Sequence, residues 1–316
     1  MEKKIPIIID CDPGHDDAIA LIMAFAARNL EVLGVTTTSG NQTLEKTTHN
    51  ALKVLDYIGK TPIVAAGCHE PLVRPLQVAP SVHGESGLDG PSMPEPSLKA
   101  SDVPAWEVSY SLIMGRSEPV TMVCTGPLTN LAILFLSHPD VRSHIERICL
   151  MGGGIDHGNW TTAAEFNILV DPEAADMVFS SGIPIVMCGL DVTEKAILTR
   201  GDVDGIRSLG GKVPHLVADL LDFFMKFHLE MGFPGAPLHD PTVIAYLMRP
   251  DLFETESLFV QVETQGKLTT GMTFADKRIN PHKREPNATV CMDLNRTGFV
   301  RLLHQCCASY AEGVLV

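Results

Sequence analysis

The chain has 316 residues, with 24 Lys plus Arg against 38 Asp plus Glu, for a formal net charge of −14. With 45% hydrophobic and 20% charged residues it has the proportions of a globular protein, which excludes a disordered chain. The acid excess argues against a nucleic-acid partner, because such partners are held by Lys and Arg neutralising phosphates.

Lys3 and Lys4 precede an apolar run that stops at Asp10, too short for a secretory leader. Residues 5–9 read as a buried strand, 18–27 as a helix, and 32–37 as the next strand. Residues 44–58 then show helical spacing through Ala51, Leu52, Val54, Leu55 and Ile58. Residues 62–66 form a further strand, and the Pro-rich stretch 71–96 a long loop of the kind that is usually functional. Strands at 120–124, 148–151 and 183–187 alternate with helices at 128–136 and 173–179. Residues 202–250 read as mostly helical, a possible small subdomain within a single domain spanning 1–316. Strand-like runs follow from residue 258, including 288–292, and a helix at 296–310 closes the chain. This β-α-β alternation with near-continuous apolar strands predicts an α/β fold: an open, mostly parallel, Rossmann-like sheet flanked by helices, with its site at the carboxyl ends of the strands. The longest apolar run, 18–27, falls well short of the ~20 residues that span a bilayer, so no membrane partner is expected. Eight scattered Cys without a C-x-x-C pair read as core residues of a reduced, cytoplasmic protein.

The first strand runs into Asp10-Cys11-Asp12-Pro13-Gly14-His15-Asp16-Asp17. Capping and the helix dipole account for one or two acidic residues at a helix start. Four carboxylates within eight residues repel one another unless a cation offsets them, and hard oxygen ligands favour Ca²⁺ or Mg²⁺ over zinc. A D-x-D motif after a first strand also suits phosphoryl transfer, but Pro-Gly-His-Asp-Asp replaces the hydroxyl residue that usually follows there.

In this motif the sequence resembles the inosine-uridine-preferring nucleoside hydrolase family, whose signature is D-x-D-P-G-x-D-D. Further motifs follow in order: Gly40-Asn41, the loop His83 to Gly90, the turn Thr125 to Asn130, Met151-Gly152-Gly153, Asn159, Ala164 to Asn167, Asp171 to Ala175, and His239-Asp240. The overall likeness is to bacterial ribonucleoside hydrolases described as pyrimidine-specific. The resemblance implies hydrolysis of the N-glycosidic bond of ribonucleosides, in which positive charge develops on the ribose. It also implies one Ca²⁺ held by Asp12, Asp17, Asp240 and the Thr125 carbonyl, with Asp12 doubling as general base. Asp16 and Asn41 would bind the ribose 2′ and 3′ hydroxyls. Asn159, Glu165 and Asn167 would hold the 3′ and 5′ side, Met151 would face the sugar, and Glu165 and Asp10 are candidates for stabilising the developing charge. His239 is assigned protonation of the leaving base, with His83 as second candidate. Relatives are commonly homotetramers, so a homo-oligomer is expected.

Two other readings stand beside the hydrolase: a catalytically silent nucleoside binder on the same fold, and a D-x-D phosphatase. For the base, one pyrimidine-specific group carries a Gln and a Tyr on the helix before the His-Asp pair. Counting back from His239, Phe227 and Met231 occupy those positions. Phe227, His228 and Met231 are therefore expected to wall the base pocket, with His228 a candidate base contact. Plain core packing is the alternative for Phe223, Phe224 and Phe227. Two histidines, His83 and His239, suit a pyrimidine carbonyl, so uridine and cytidine are expected over inosine and adenosine.

Overall fold

The computed structural model describes residues 4–277, 284–312 and 316. Its strands are β1 Ile5–Cys11, β2 Leu30–Thr37, β3 Ile63–Ala66, β4 Val120–Cys124, β5 Ile145–Met151, β6 Ile185–Cys188, β7 Ile197–Leu198, β8 Ala236–Pro237, β9 Phe253–Leu258, β10 Val260–Val262, β11 Thr273–Ala275 and β12 Ala288–Leu294. Eight of them form one sheet in the order β3-β2-β1-β4-β5-β6-β12-β9, while β7 pairs with β8 and β10 with β11. The large sheet is parallel except for β9, which runs antiparallel to β12 at one edge.

The sheet is apolar on both sides. Ile7 and Ile9 join one core cluster and Ile8 the other, so alternate side chains of β1 feed opposite layers. The helices Arg200–Ser208, Lys212–Glu230 and Pro241–Met248 occupy the stretch read as helical, and Val203, Leu216, Leu220 and Ile244 share a core with Ile7 and Ile9. Strand order reverses between β1 and β4, where ligands of open α/β sheets bind at the carboxyl ends. Asp10 pairs in register with Cys124 across that switch, and the Thr125 N–H donates to the Asp10 carbonyl at 2.9 Å. The acidic motif and the Thr-Gly turn are thereby brought side by side.

Three elements differ from the sequence reading. The first helix is His15–Ala26, three residues earlier than expected, because the polar His-Asp-Asp segment forms its first turn. The helix Ala105–Met114 had not been expected: buried Ala105, Val108, Ser109 and Ile113 mark its inner face, and Ser109 breaks the apolar pattern. Strand β9, Phe-Glu-Thr-Glu-Ser-Leu, carries no alternating apolar pattern because its four central residues are exposed. The long loop contains one turn of helix, Pro80–His83. Among the described residues no helix is long and apolar enough to cross a membrane. All eight Cys are free, and all but Cys68 are buried.

Candidate active site

At the mouth of β1, Asp16, Asp17 and Asp240 each bring a carboxylate oxygen within 4.8 Å of the others, all three buried. The first helix presents Asp16 and Asp17 from its first turn, and Asp240 immediately precedes the helix Pro241–Met248 with its side chain left free of capping. Asp12 is fully buried beside them. Its Oδ2 accepts from the Asn41 N–H at 2.7 Å, and the Asn41 side-chain amide donates to the Asp12 carbonyl at 3.1 Å and to Asp17 Oδ2 at 3.2 Å. Asp12 Oδ1 is buried without a hydrogen-bond partner. A Cβ on Gly126 would come within 2.6 Å of that oxygen, so the turn can pass so close only as glycine.

The carboxylates disturb one another. Burial, then Asp17, pushes Asp12 well above the ordinary carboxylate range. Burial and then Asp16 do the same to Asp240. Asp16 rises to about 7, from burial and then Asp17. A group of buried acids that resists ionising and keeps an unpartnered oxygen suits a hard divalent cation, so the donor set passes that chemical test. The tight three-carboxylate group includes Asp16, expected as a ribose contact, while Asp12 joins through Asn41. Thr125 reaches the group through its hydroxyl and Asn167 through its carbonyl. Its hydroxyl donates to Asp17 Oδ1 at 2.7 Å, and its carbonyl accepts from the Asn167 amide at 2.8 Å.

Asp10 lies deeper. Its Oδ1 accepts from the Thr36 hydroxyl at 2.5 Å and the Asn130 amide at 2.8 Å, and burial raises its pKa to about 6. Held this way and 2% exposed, Asp10 is fixed by its partners beneath the other carboxylates. Thr36 and Asn130 were not singled out from sequence. The Thr-Asn pair of the turn was the available signal for Asn130.

Above the carboxylates, β5 ends in Met151-Gly152-Gly153. Glu165 caps the helix Phe166–Val170 by accepting from the N–H groups of Asn167 and Ile168, and it also accepts from the Gly153 N–H at 2.8 Å. These bonds tie the glycine turn to the helix, a clamping role the sequence did not reveal. Burial nevertheless raises Glu165 to about 7. Asn167 donates to both the carbonyl and the sulfur of Met151, at 3.3 and 3.4 Å. Asn159 Oδ1 accepts from the Phe166 N–H at 3.0 Å.

Part of this set lines one pocket, whose floor is Asp16, Asn41, Thr125 and Asp240, while Asp12 and Asp17 are buried outside its lining. The pocket also brings in Met151, Asn159, Glu165 and Asn167, and its far wall holds His83, Phe224, Phe227, His228, Met231 and His239. Thus every substrate residue expected from sequence meets in one cavity. Phe166 joins them from the Ala164 to Asn167 motif, while Trp160, Phe233 and Glu194 also line the pocket and carried no sequence signal.

The histidines sit in an aromatic collar. His15 stacks on Phe223 at 4.8 Å and 4°, and Phe224 stacks on His83 at 5.5 Å. Phe223 and Phe224 therefore pack against imidazoles, not only against aliphatic core. His15 Nε2 donates to the Asp89 carbonyl at 2.7 Å, and its Nδ1 lies 3.2 Å from His83 Nδ1. Burial lowers His239 to about 3 and His83 well below its ordinary value. Both shifts favour the neutral ring, in which form each can donate a hydrogen bond from an N–H to a departing base. His239 Nδ1 lies 2.8 Å from the Thr193 hydroxyl.

Comparison with known proteins agrees with this geometry. The profile of the inosine-uridine preferring nucleoside hydrolase family matches residues 7–301. A pyrimidine-specific ribonucleoside hydrolase, RihA, from Photobacterium profundum is 53% identical over 308 residues, covering 96% of this chain and 99% of its own length. The RihA of Salmonella agona is 52% identical, covering 97% and 99%. Among solved structures, a purine-preferring ribonucleoside hydrolase from Gardnerella vaginalis superimposes with a TM-score of 0.91 at 30% identity, covering 98% of this chain and all of that one.

Proposed function

The chain belongs to the inosine-uridine preferring nucleoside hydrolase family and is a nucleoside hydrolase, and from that premise we propose that it cleaves pyrimidine ribonucleosides, uridine and cytidine, with the help of one Ca²⁺. The observation that carries the proposal is the single pocket joining a buried carboxylate floor to a histidine wall. The 53% identity to a pyrimidine-specific relative supports the base preference. A purine-preferring neighbour at 30% identity shows that the fold itself does not decide it.

Asp12, Asp17, Asp240 and the Thr125 carbonyl, which also accepts from the Asn167 amide, would hold the ion, with Asp16 beside them. When bound, Ca²⁺ supplies Lewis acidity that acidifies water and screens the carboxylates from one another. Asp12 takes the proton of the attacking water through its unpartnered Oδ1. Asp16 and the Asn41 carbonyl oxygen orient the 2′ and 3′ hydroxyls. Asn167 and Asn159 hold the sugar from the β5 side, and Met151 packs on it. Glu165 keeps the glycine turn in place and, with Asp10, sets a negative field beneath the ring where charge develops. His239 and His83 donate hydrogen bonds to the carbonyl of the departing base. Assembly as a homo-oligomer, a tetramer by family habit, is part of the same proposal.

Steady-state kinetics on uridine, cytidine, inosine and adenosine test the reading, with a reducing-sugar assay for free ribose. The expected result is a higher kcat/KM for uridine than for inosine in protein supplied with CaCl2. Faster turnover of inosine would sink the base preference and leave nucleoside hydrolysis intact.

A further inference from the structure

His228 and His239 face the same pocket with opposite hydrogen-bonding characters. A backbone carbonyl can only accept, so the 2.9 Å contact between His228 Nδ1 and the Phe224 carbonyl places the ring proton on Nδ1. A neutral imidazole has one N–H, so at pH 8 Nε2 of His228 is a bare acceptor. Among the described residues no hydrogen bond reaches it. His239 is the reverse. The Thr193 hydroxyl is fully buried, and its one hydrogen bond among the described residues is to His239 Nδ1. A buried O–H left undonated is costly, so Thr193 donates, Nδ1 accepts, and Nε2 carries the proton. The two rings lie 6.1 Å apart, close enough for their nitrogens to address neighbouring atoms of one heterocycle edge. Phe224, Phe227 and Phe233 meet the His228 ring edge-on at 4.4, 5.3 and 5.7 Å, which fixes its orientation.

An N–H beside a bare nitrogen complements an acceptor beside an N–H. Uracil offers that pair in its O2 and N3–H. Cytosine offers O2 beside a bare N3, whose lone pair would oppose that of His228. A purine has no carbonyl next to its glycosidic nitrogen. We propose that His228 is a specificity-determining residue that accepts a hydrogen bond from N3–H of a uracil base, so that the enzyme selects imide-bearing pyrimidine nucleosides over cytidine. The proposal deepens the pyrimidine reading and rests on it.

The test measures kcat and KM at pH 8 for uridine, cytidine and 3-methyluridine, in the natural protein and in His228→Phe. Phenylalanine keeps the aromatic collar and removes Nε2. One neutral hydrogen bond corresponds to roughly 10-fold. The natural protein should therefore favour uridine over cytidine by about that factor. His228→Phe should lower kcat/KM for uridine about 10-fold, mainly through KM, and abolish the preference for uridine over cytidine and 3-methyluridine. Equal losses on all three, or cytidine the better substrate of the natural protein, overturns the proposal. Turnover of inosine with none of uridine would overturn the pyrimidine reading as well, so the two failures are distinguishable. Independently of any variant, long-range 1H–15N correlation spectra read the protonated nitrogen directly. His228 protonated at Nε2 would refute the assignment, and Nδ1 is expected.

Discussion

The floor and the far wall of the pocket are built on different principles. The floor is made of short polar side chains at strand ends and helix starts, tied to the carboxylates beneath it, as Asn41 is to Asp12 and Thr125 to Asp17. The wall is made of rings on the helix Lys212–Glu230 and on loops, and it includes Met231, which is 64% exposed. Sugar and ion need fixed charge geometry, which rigid elements supply. A heterocycle needs apolar faces with a few oriented polar atoms, which a looser wall can offer and vary. The two ends also respond to pH in opposite ways. Burial raises the carboxylates Asp10, Asp16 and Glu165 to about 6, 7 and 7, and it lowers His15 and His239 to about 4 and 3.

The largest expected effect lies in the floor. Asp12→Asn should cost on the order of 10²- to 10⁴-fold in kcat, the range for a lost general base. Phe227→Ala, in the wall, should cost far less; comparable losses in single-turnover assays would erase the distinction between the two ends. Next comes the sugar. A site built around two hydroxyls leaves polar groups unpaired when one is missing, so 2′-deoxyuridine should fall on the order of 10²-fold or more below uridine in kcat/KM. Near-equal rates would show that the floor does not grip the diol.

The pH response sharpens the contrast. An acid whose folded pKa is raised contributes stability that is present at low pH and lost as pH rises through the folded value. A histidine whose folded pKa is lowered contributes stability that is present above its unfolded value and lost as pH falls. Between about 4 and 6.5 the two trends oppose each other, and above 6.5 only the carboxylate trend remains. Cation-free protein should therefore lose thermal stability from pH 6.5 to 8.5. Added CaCl2 should restore this alkaline limb and leave the acid limb unchanged, as read by calorimetry. A cation effect equal at both ends of the scale would contradict the placement of charge in the floor. The smallest effect belongs to the wall's outer rim: Met231→Ala should change kcat/KM for uridine by no more than about 3-fold, as expected of an exposed side chain.

The same division decided what could be read before the structure. The acidic motif under the floor is written contiguously, Asp10 to Asp17, and the strand alternation around it is strongly periodic, so both the sheet and the acidic group were legible, while Asn41, Thr125 and Asp240 were reached through the family resemblance. The wall gathers residues from positions 79 to 83, 159 to 166, 194 and 224 to 239, which no local pattern joins; His83, Phe227, His228, Met231 and His239 were reached only through the family resemblance. Trp160 and Glu194 belong to it only because two loops and a helix converge. Thr193 and Phe224 act through one hydroxyl and one backbone carbonyl, and a carbonyl leaves no trace in residue identity. Strand β9 was lost for a related reason: periodicity detects burial, and an edge strand buries little.

That edge strand bears on how copies of the chain can meet. A sheet ends in unpaired N–H and C=O groups that invite another strand, in the extreme as fibrils. Here β9 carries Glu254 and Glu256 outward along its exposed run, so two such edges brought together would face like charges. At the opposite edge, Ser101 bridges to Ala65 of β3 and its N–H donates to the Val64 carbonyl at 2.7 Å, occupying part of the second row. Growth by adding strand to strand is discouraged at both ends, which leaves helices and loops as the surfaces through which subunits can associate without risking runaway polymerisation.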